Sequence, residues 1–162
     1  MAQKPSDNAF GADNQQERLA LANWIVGFTD GEGCFSVAVI KNKTTKFGTQ
    51  IFPEFVVTQG AKSISALEKI KLFFNCGGIF VNKRYDNHNE HLYRYCVRSL
   101  PELEEKVISF FKAYPPRTYK RNDFLIFEKV VKAMRKKEHL TERGRNEILV
   151  LISQMNRRKI RS

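Results

Sequence analysis

The chain has 162 residues, 42% of them hydrophobic and 12% aromatic, which suits one domain with its own core and excludes a disordered chain. Its 28 Lys and Arg against 17 Asp and Glu give +11. That charge favours a polyanionic partner, although a solvated basic surface, a ribosomal role or membrane-surface binding also fits it. No apolar run approaches the ~20 residues of a membrane span.

The first 15 residues are polar and mixed in charge, and are expected to form a flexible tail rather than a signal or transit peptide. Residues 16–162 are expected to form a single domain. From Gln16 to Gly31 the spacing of Leu19, Leu21, Trp24, Ile25 and Phe28 predicts a helix that ends in a glycine-rich stretch. The period then changes to two, with Phe35, Val37 and Val39 alternating with Ser36, Ala38 and Ile40, which predicts a strand. A polar segment, 41–50, leads into a second strand over 51–59, in which Pro53 suggests an edge or a bulge. Ser65 and Glu68 have the spacing of a capping box, for a helix that runs to Phe74 and stops at Asn75–Gly78. Residues 79–84 and 92–98 predict a second strand pair around a polar loop. A helix starts near Ser99 and ends before Tyr114-Pro-Pro116. Two more follow, over 120–137 and 142–157, with Thr141 as N-cap of the last.

The expected order is αββαββα plus two helices, a mixed α/β domain of the α+β type. Helices would cover one face of an antiparallel sheet and leave the other free. Cys34, Cys76 and Cys96 show no metal-ligand spacing and are expected to be buried thiols of a reducing compartment.

The stretch Trp24-Ile-Val-Gly-Phe-Thr-Asp-Gly-Glu-Gly-Cys-Phe-Ser36 carries the most chemistry. Ala20, Asn23, Gly27 and Gly31 recur at spacings of three and four, so they share one helix face. Small residues there let a twin helix approach closely. Leu21, Trp24, Ile25 and Phe28 supply bulk for the domain's own core. Asp30 and Glu32 are expected immediately past the helix end. A twin helix would bring two such carboxylate pairs together, an arrangement that suits a hard cation such as Mg²⁺. Taken alone, Asp-Gly-Glu-Gly better fits a core helix closed by a turn with solvated acids.

The surrounding residues extend the pattern. Ile25-Val-Gly-Phe-Thr-Asp-Gly-Glu-Gly33 resembles the LAGLIDADG motif of homing endonucleases, with Ile-Val for the leading Leu-Ala. Gly33–Ile40 and Pro53–Gln59 are similar to that family's first two strands, and Phe73–Ile79 to its helix-to-strand junction. Tyr114–Phe127 resembles its Pro-turn and Asp-Phe segment, and Lys137–Gly144 the C-terminal helix pair of many organellar members. The similarity runs in order over about residues 18–155.

The resemblance implies a saddle-shaped antiparallel sheet that holds DNA, with helices on its other face. It implies that Glu32 binds the catalytic metal, that Gly31 adds its carbonyl, and that Gln59 positions water. A basic residue completes the site, either Lys120 or Arg117, and Asp30 organises the helix end. It further implies Mg²⁺-dependent phosphodiester hydrolysis that makes a staggered double-strand cut, with Ca²⁺ supporting binding without cleavage. Double-stranded DNA is the expected partner and intron RNA a second one; the alternatives to a nuclease are a maturase on the same fold or a non-catalytic DNA-binding protein. No membrane partner is expected. One motif implies a homodimer on a near-palindromic target, seated on Ala20, Asn23, Gly27 and Gly31. Base and backbone contacts are expected from Lys41, Lys43, Thr45, Lys46, Thr49, Gln50 and Glu54, and from Asn82, Arg84, Asn87, His88, Tyr93, Arg94 and Arg117. The expected location is intracellular, in an organelle or a prokaryotic cytoplasm.

Overall fold

The computed structural model describes residues 7–83 and 90–155, with the side chains described from residue 14 onward. Helix α1 (Asp7–Glu32) leads into strands β1 (Gly33–Lys41) and β2 (Thr49–Gly60). After a 3-10 turn over Ala61–Ser63 come helix α2 (Ile64–Phe74) and strands β3 (Gly78–Asn82) and β4 (Leu92–Val97). The next helical rod has three parts: α3 (Leu100–Glu102), a π-helical segment (Leu103–Ile108) and α4 (Ser109–Ala113). Helices α5 (Lys120–Arg135) and α6 (Glu142–Gln154) follow, joined through a 3-10 turn over Glu138–Leu140. The expected αββαββα order with extra helices is the order found.

The sheet is antiparallel throughout, in the order β1-β2-β4-β3. Phe35 pairs with Phe55, which in turn pairs with Val97, and Val57 pairs with Tyr95. Side chains alternate across a strand, so this set lies on one face, and all five belong to the buried core. Helix α2 adds Leu67, Ile70 and Phe74, α5 adds Phe124, Phe127 and Val131, and α1 adds Ala22, Ile25 and Val26. Phe35 stands at the centre, with ring centroids 5.1 Å from Phe111, 5.2 Å from Phe124 and 5.3 Å from Phe55. Each such buried ring contributes roughly 1.5–3 kcal/mol, and each close aromatic pair roughly 0.5–1.5 kcal/mol more. A smaller cluster of Ile51, Val130, Met134 and Ile148 roots α6 against α5 and the start of β2.

Several expectations change in detail. Helix α1 begins at Asp7 rather than Gln16, so the expected tail is helical from Asp7 onward. Residues 14–20 are all exposed, and a segment without a buried face carries no apolar period to read. The helix also runs through Glu32, which puts Asp30 and Glu32 in its last turn rather than past it. Trp24 is 37% exposed and lies at the edge of the core. Its ring rests against Phe28, with the Lys69 ammonium 5.4 Å from its centroid. Ser65 caps nothing: the 3-10 turn brings the start of α2 forward to Ile64, with Ser63 at the N-cap position and no side-chain cap bond.

Other features stand as expected, except that one of the three cysteines expected to be buried, Cys34, is exposed. Asn75 is left-handed (φ 48°) and Gly77 has φ 71°, so α2 stops where the sequence predicts. A Cβ at Gly77 would lie 2.5 Å from the Cys96 carbonyl oxygen, so both backbone and space require glycine. Pro53 sits in β2 before the pairing with β4 begins at Phe55, so the strand has an open edge where the proline lacks its N–H. Thr141 caps α6 by accepting a hydrogen bond from the Gly144 N–H (3.1 Å). Cys76 and Cys96 are buried, and burial pushes both thiols up from their ordinary range. Cys34 is exposed, because its place in the β1 alternation turns it away from the helices. No helix among the described residues is long and apolar enough to cross a membrane.

Candidate active site

The last turn of α1 is tied to the segment before α5 by two separate devices. The Asp30 carboxylate accepts from the Arg117 N–H (2.9 Å), the Thr118 N–H (3.3 Å) and the Thr118 hydroxyl (2.7 Å). The Lys120 ammonium donates to the carbonyl oxygens of Thr29 (3.0 Å) and Gly31 (3.1 Å). The final carbonyls of a helix have no intrahelical partner and carry the negative end of its dipole, so a cation is well placed there. Lys120 therefore caps α1 in space from 89 residues away in sequence.

Glu32, at the very end of this turn, is exposed. Among the described residues no hydrogen bond or ion pair engages its carboxylate. The contrast with Asp30 is one of register: residues two apart on a helix do not face the same way. Asp30 turns toward the 117–118 segment and organises the turn, whereas Glu32 faces solvent. Gln59 reaches the same end of the sheet by strand register. Gly33 pairs with Val57, so Gln59, two residues on, is level with the last turn of α1, and it is half-buried beside Tyr93.

The two alternatives for the basic residue separate in space. The Lys120 ammonium sits at the helix tip. Arg117 is exposed and lines a shallow concavity of about 240 Å³ with Asn23, Val26, Gly27 and Asp30. Ala20, Asn23, Gly27 and Gly31 are exposed, and a Cβ built on Gly27 or Gly31 would meet nothing within 4 Å. The small-residue stripe thus lies open along α1 and ends beside Glu32.

The open face of the sheet is given by the same alternation. Gln50, Phe52, Glu54, Arg94, Arg98, Phe80 and Asn82 belong to it. Lys41, Lys43, Lys46, Gln50 and Asn82 are exposed, whereas Thr45 and Thr49 are half-buried. The Thr45 hydroxyl is held between the Asn42 and Thr49 carbonyls, at 2.9 and 3.0 Å, and the Thr49 hydroxyl meets Arg145. Tyr93 lies on the helix-facing side, packed against the core. Arg84, Asn87 and His88 lie outside the described residues.

Glu54 needs a different account from that of a surface reader. It is only 8% exposed, its carboxylate accepts from Arg94 at 3.0 Å, and Arg98 closes on its other oxygen. The Arg98 guanidinium also lies over the rings of Phe52 and Phe80, 5.7 and 5.3 Å from their centroids. Sequence reading names Arg94 and overlooks Arg98. The signal was available, because the two arginines stand four apart in a strand segment and so share a face.

Comparison with known proteins places this arrangement. The chain is 32% identical over 129 residues to the probable intron-encoded endonuclease 2 of Neurospora crassa, a match covering 80% of this chain and 26% of that protein. The chain thus spans about a quarter of the length of that relative. Its fold is like that of the homing endonuclease I-TnaI, with TM-score 0.73 and 39% identity, covering 83% of this chain and 87% of that one. It is also like I-SmaMI bound to an uncleaved DNA target in the presence of calcium ions, with TM-score 0.75 and 30% identity over 83% of this chain and 44% of that one. The model of the LAGLIDADG endonuclease family matches residues 25–131, from the last third of α1 to the last third of α5, and this chain belongs to that family.

Proposed function

We propose that the chain is a site-specific homing endonuclease that binds a long, near-palindromic DNA duplex as a homodimer and makes a staggered double-strand cut by metal-dependent phosphodiester hydrolysis. The observation that carries this reading is Glu32, exposed and unengaged among the described residues at the tip of α1, where the open small-residue stripe lets a second copy approach. I-SmaMI, a relative seen on uncleaved DNA with calcium, supports both the substrate class and the need for a hard cation.

The donors at the tip fit such a cation. They are a carboxylate and main-chain carbonyls, and the Gly31 carbonyl already attracts the Lys120 ammonium. No group of three or more acidic, His or Cys side chains among the described residues forms a site within one chain. Two Glu32 carboxylates brought together across the α1 seam, with Gly31 carbonyls beside them, would hold Mg²⁺. When bound, Mg²⁺ supplies Lewis acidity and a water that ionises more readily.

The remaining roles fall to this chain's own groups. Gln59 orients the attacking water from the end of β2. Lys120 offsets negative charge on the scissile phosphate, and Asp30 holds the turn that aims Glu32. Gln50 and Asn82 reach the major groove from the open face, Lys41, Lys43 and Lys46 reach the DNA from the end of the β1–β2 hairpin, and Arg94 reads bases from its fixed place on Glu54. The protein would act where introns are expressed, in an organelle or a prokaryotic cytoplasm.

A metal series tests this reading. The wild-type protein is incubated with a duplex that spans the intron-free insertion site of its host gene. Both strands are expected to be cut with Mg²⁺, the duplex bound but intact with Ca²⁺, and intact with EDTA. Cleavage that persists in EDTA would overturn the metal-dependent mechanism. Absence of binding under all three conditions would overturn the DNA reading.

A further inference from the structure

The loop between β1 and β2, residues 42–48, is knit within itself. The Asn42 N–H donates to the Gly48 carbonyl (2.9 Å), and the Asn42 side-chain oxygen accepts from the Thr44 N–H (3.1 Å) and hydroxyl (2.6 Å). The Asn42 amide also donates to the Gln50 side chain (3.1 Å). Beneath this loop lies a cavity of about 450 Å³, walled by loop residues and by Leu100, Met134, His139 and Leu140 from the helical layer. One charged side chain spans the gap. The Arg145 guanidinium bonds the Thr49 hydroxyl and lies over the Phe47 ring, 5.1 Å from its centroid.

Arg145 is 7% exposed, and no carboxylate among the described residues pairs with it. Burying a cation is costly unless it gains partners, and the partners here are loop groups, a hydroxyl and a ring face. Its backbone is fixed from the other side. Thr141 caps the helix at Gly144, and a Cβ at Gly144 would lie 2.4 Å from the Glu138 carbonyl oxygen, so the start of α6 sits tightly on the 3-10 turn. The field of Arg145 is felt at His139, whose imidazole is held below its ordinary range first by burial and then by this cation.

We infer that Arg145 is a positioning residue: α6 clamps the tip of the β1–β2 hairpin through the Arg145 contacts to Thr49 and Phe47, and so sets how Lys43, Lys46 and Gln50 meet the outer base pairs of the DNA target. The inference rests on the DNA-binding reading above, while the clamp itself is a property of the free protein. Lys43 and Lys46 are exposed on the loop, whereas Arg145 is buried beneath it, so the loop carries the contact and Arg145 the geometry.

Two variants test this. Arg145→Met keeps the stem and removes the guanidinium; Thr49→Val keeps the volume and removes the hydroxyl. In the free protein, hydrogen exchange at the Asn42, Thr45 and Gly48 amides is expected to speed up by about tenfold in both variants, with the Phe55–Val97 ladder unchanged. Unchanged loop exchange in both variants would overturn the clamp, and Thr49→Val decides the matter if Arg145→Met fails to fold. On duplexes selected by the wild-type protein from a randomised library, both variants are expected to lose discrimination at the outer positions only, with the salt dependence of binding unchanged. Loss spread evenly over all positions, with a salt slope lower by about one, would identify Arg145 as a direct phosphate contact and overturn its positioning role. Failure of the wild-type protein to select any duplex would strike the DNA reading alone, since the exchange experiment is decided without DNA.

Discussion

At the scale of single residues, the two acids of the motif show how register divides labour. Asp30 accepts three hydrogen bonds from Arg117 and Thr118, and Glu32 is left to solvent. The sequence identifies both carboxylates and, through the family resemblance, assigns them these separate places. It does not reveal that the Gly31 carbonyl is shared with the Lys120 ammonium, because 89 residues separate the two partners. The engagement of Glu54 is hidden for the same reason: only the β2–β4 register brings Arg94 and Arg98 to it. His139 gives a residue-scale prediction. Its Nδ1 is buried without a hydrogen-bond partner among the described residues, and burial together with Arg145 depresses its basicity, so the unfolded chain takes up a proton at a higher pH than the folded one. The stability this contributes is present above about pH 6.5 and is lost as the pH falls. The melting temperature is expected to drop between about pH 7.5 and about pH 5, and His139→Gln is expected to flatten part of that slope. An identical slope in the variant would contradict the account.

At the scale of elements, periodicity was a sound guide wherever one face is buried. The strands β1 and β2 and the helices α2, α5 and α6 appear within a few residues of their expected bounds. The misses lie where that cue fails. Residues 14–20 of α1 are all exposed, and the capping-box spacing of Ser65 and Glu68 gives way to a 3-10 turn that starts α2 early. The rod over residues 100–113 contains a π-helical segment, and no sequence spacing announces it. Helix α1 also carries a prediction of its own. Gly27 is exposed, with nothing within 4 Å of a built Cβ, so Gly27→Leu fits within one chain. Leucine favours a helix over glycine by up to about 1 kcal/mol, so the variant is expected to melt no lower than the wild type. On the proposed seam the same side chain collides with its twin. Sedimentation is expected to show a monomer where the wild type is a dimer, with double-strand cleavage lost. A cleaving dimer of Gly27→Leu would remove α1 from the interface.

At the scale of the whole molecule, the fold keeps its two faces for different uses. Helices and a phenylalanine-rich core fill one side of the sheet. The other presents arginines steadied by Glu54, with lysines at the hairpin tip, on a chain of net charge +11. The helical layer reaches the site at both ends, through Lys120 at the tip of α1 and through Arg145 under the hairpin. The sequence announces the sheet, its helical cover and the motif helix, whereas these cross-chain ties come only from tertiary register. The proposed function turns on Glu32, and one measurement tests it most directly. Wild-type and Glu32→Gln proteins are compared on a supercoiled plasmid carrying the insertion site, by cleavage with Mg²⁺ and by gel-shift binding with Ca²⁺. The wild type is expected to linearise the plasmid, while Glu32→Gln binds the site within about threefold of wild-type affinity and leaves the plasmid uncut. Linearisation by Glu32→Gln at the wild-type rate would contradict the central assignment.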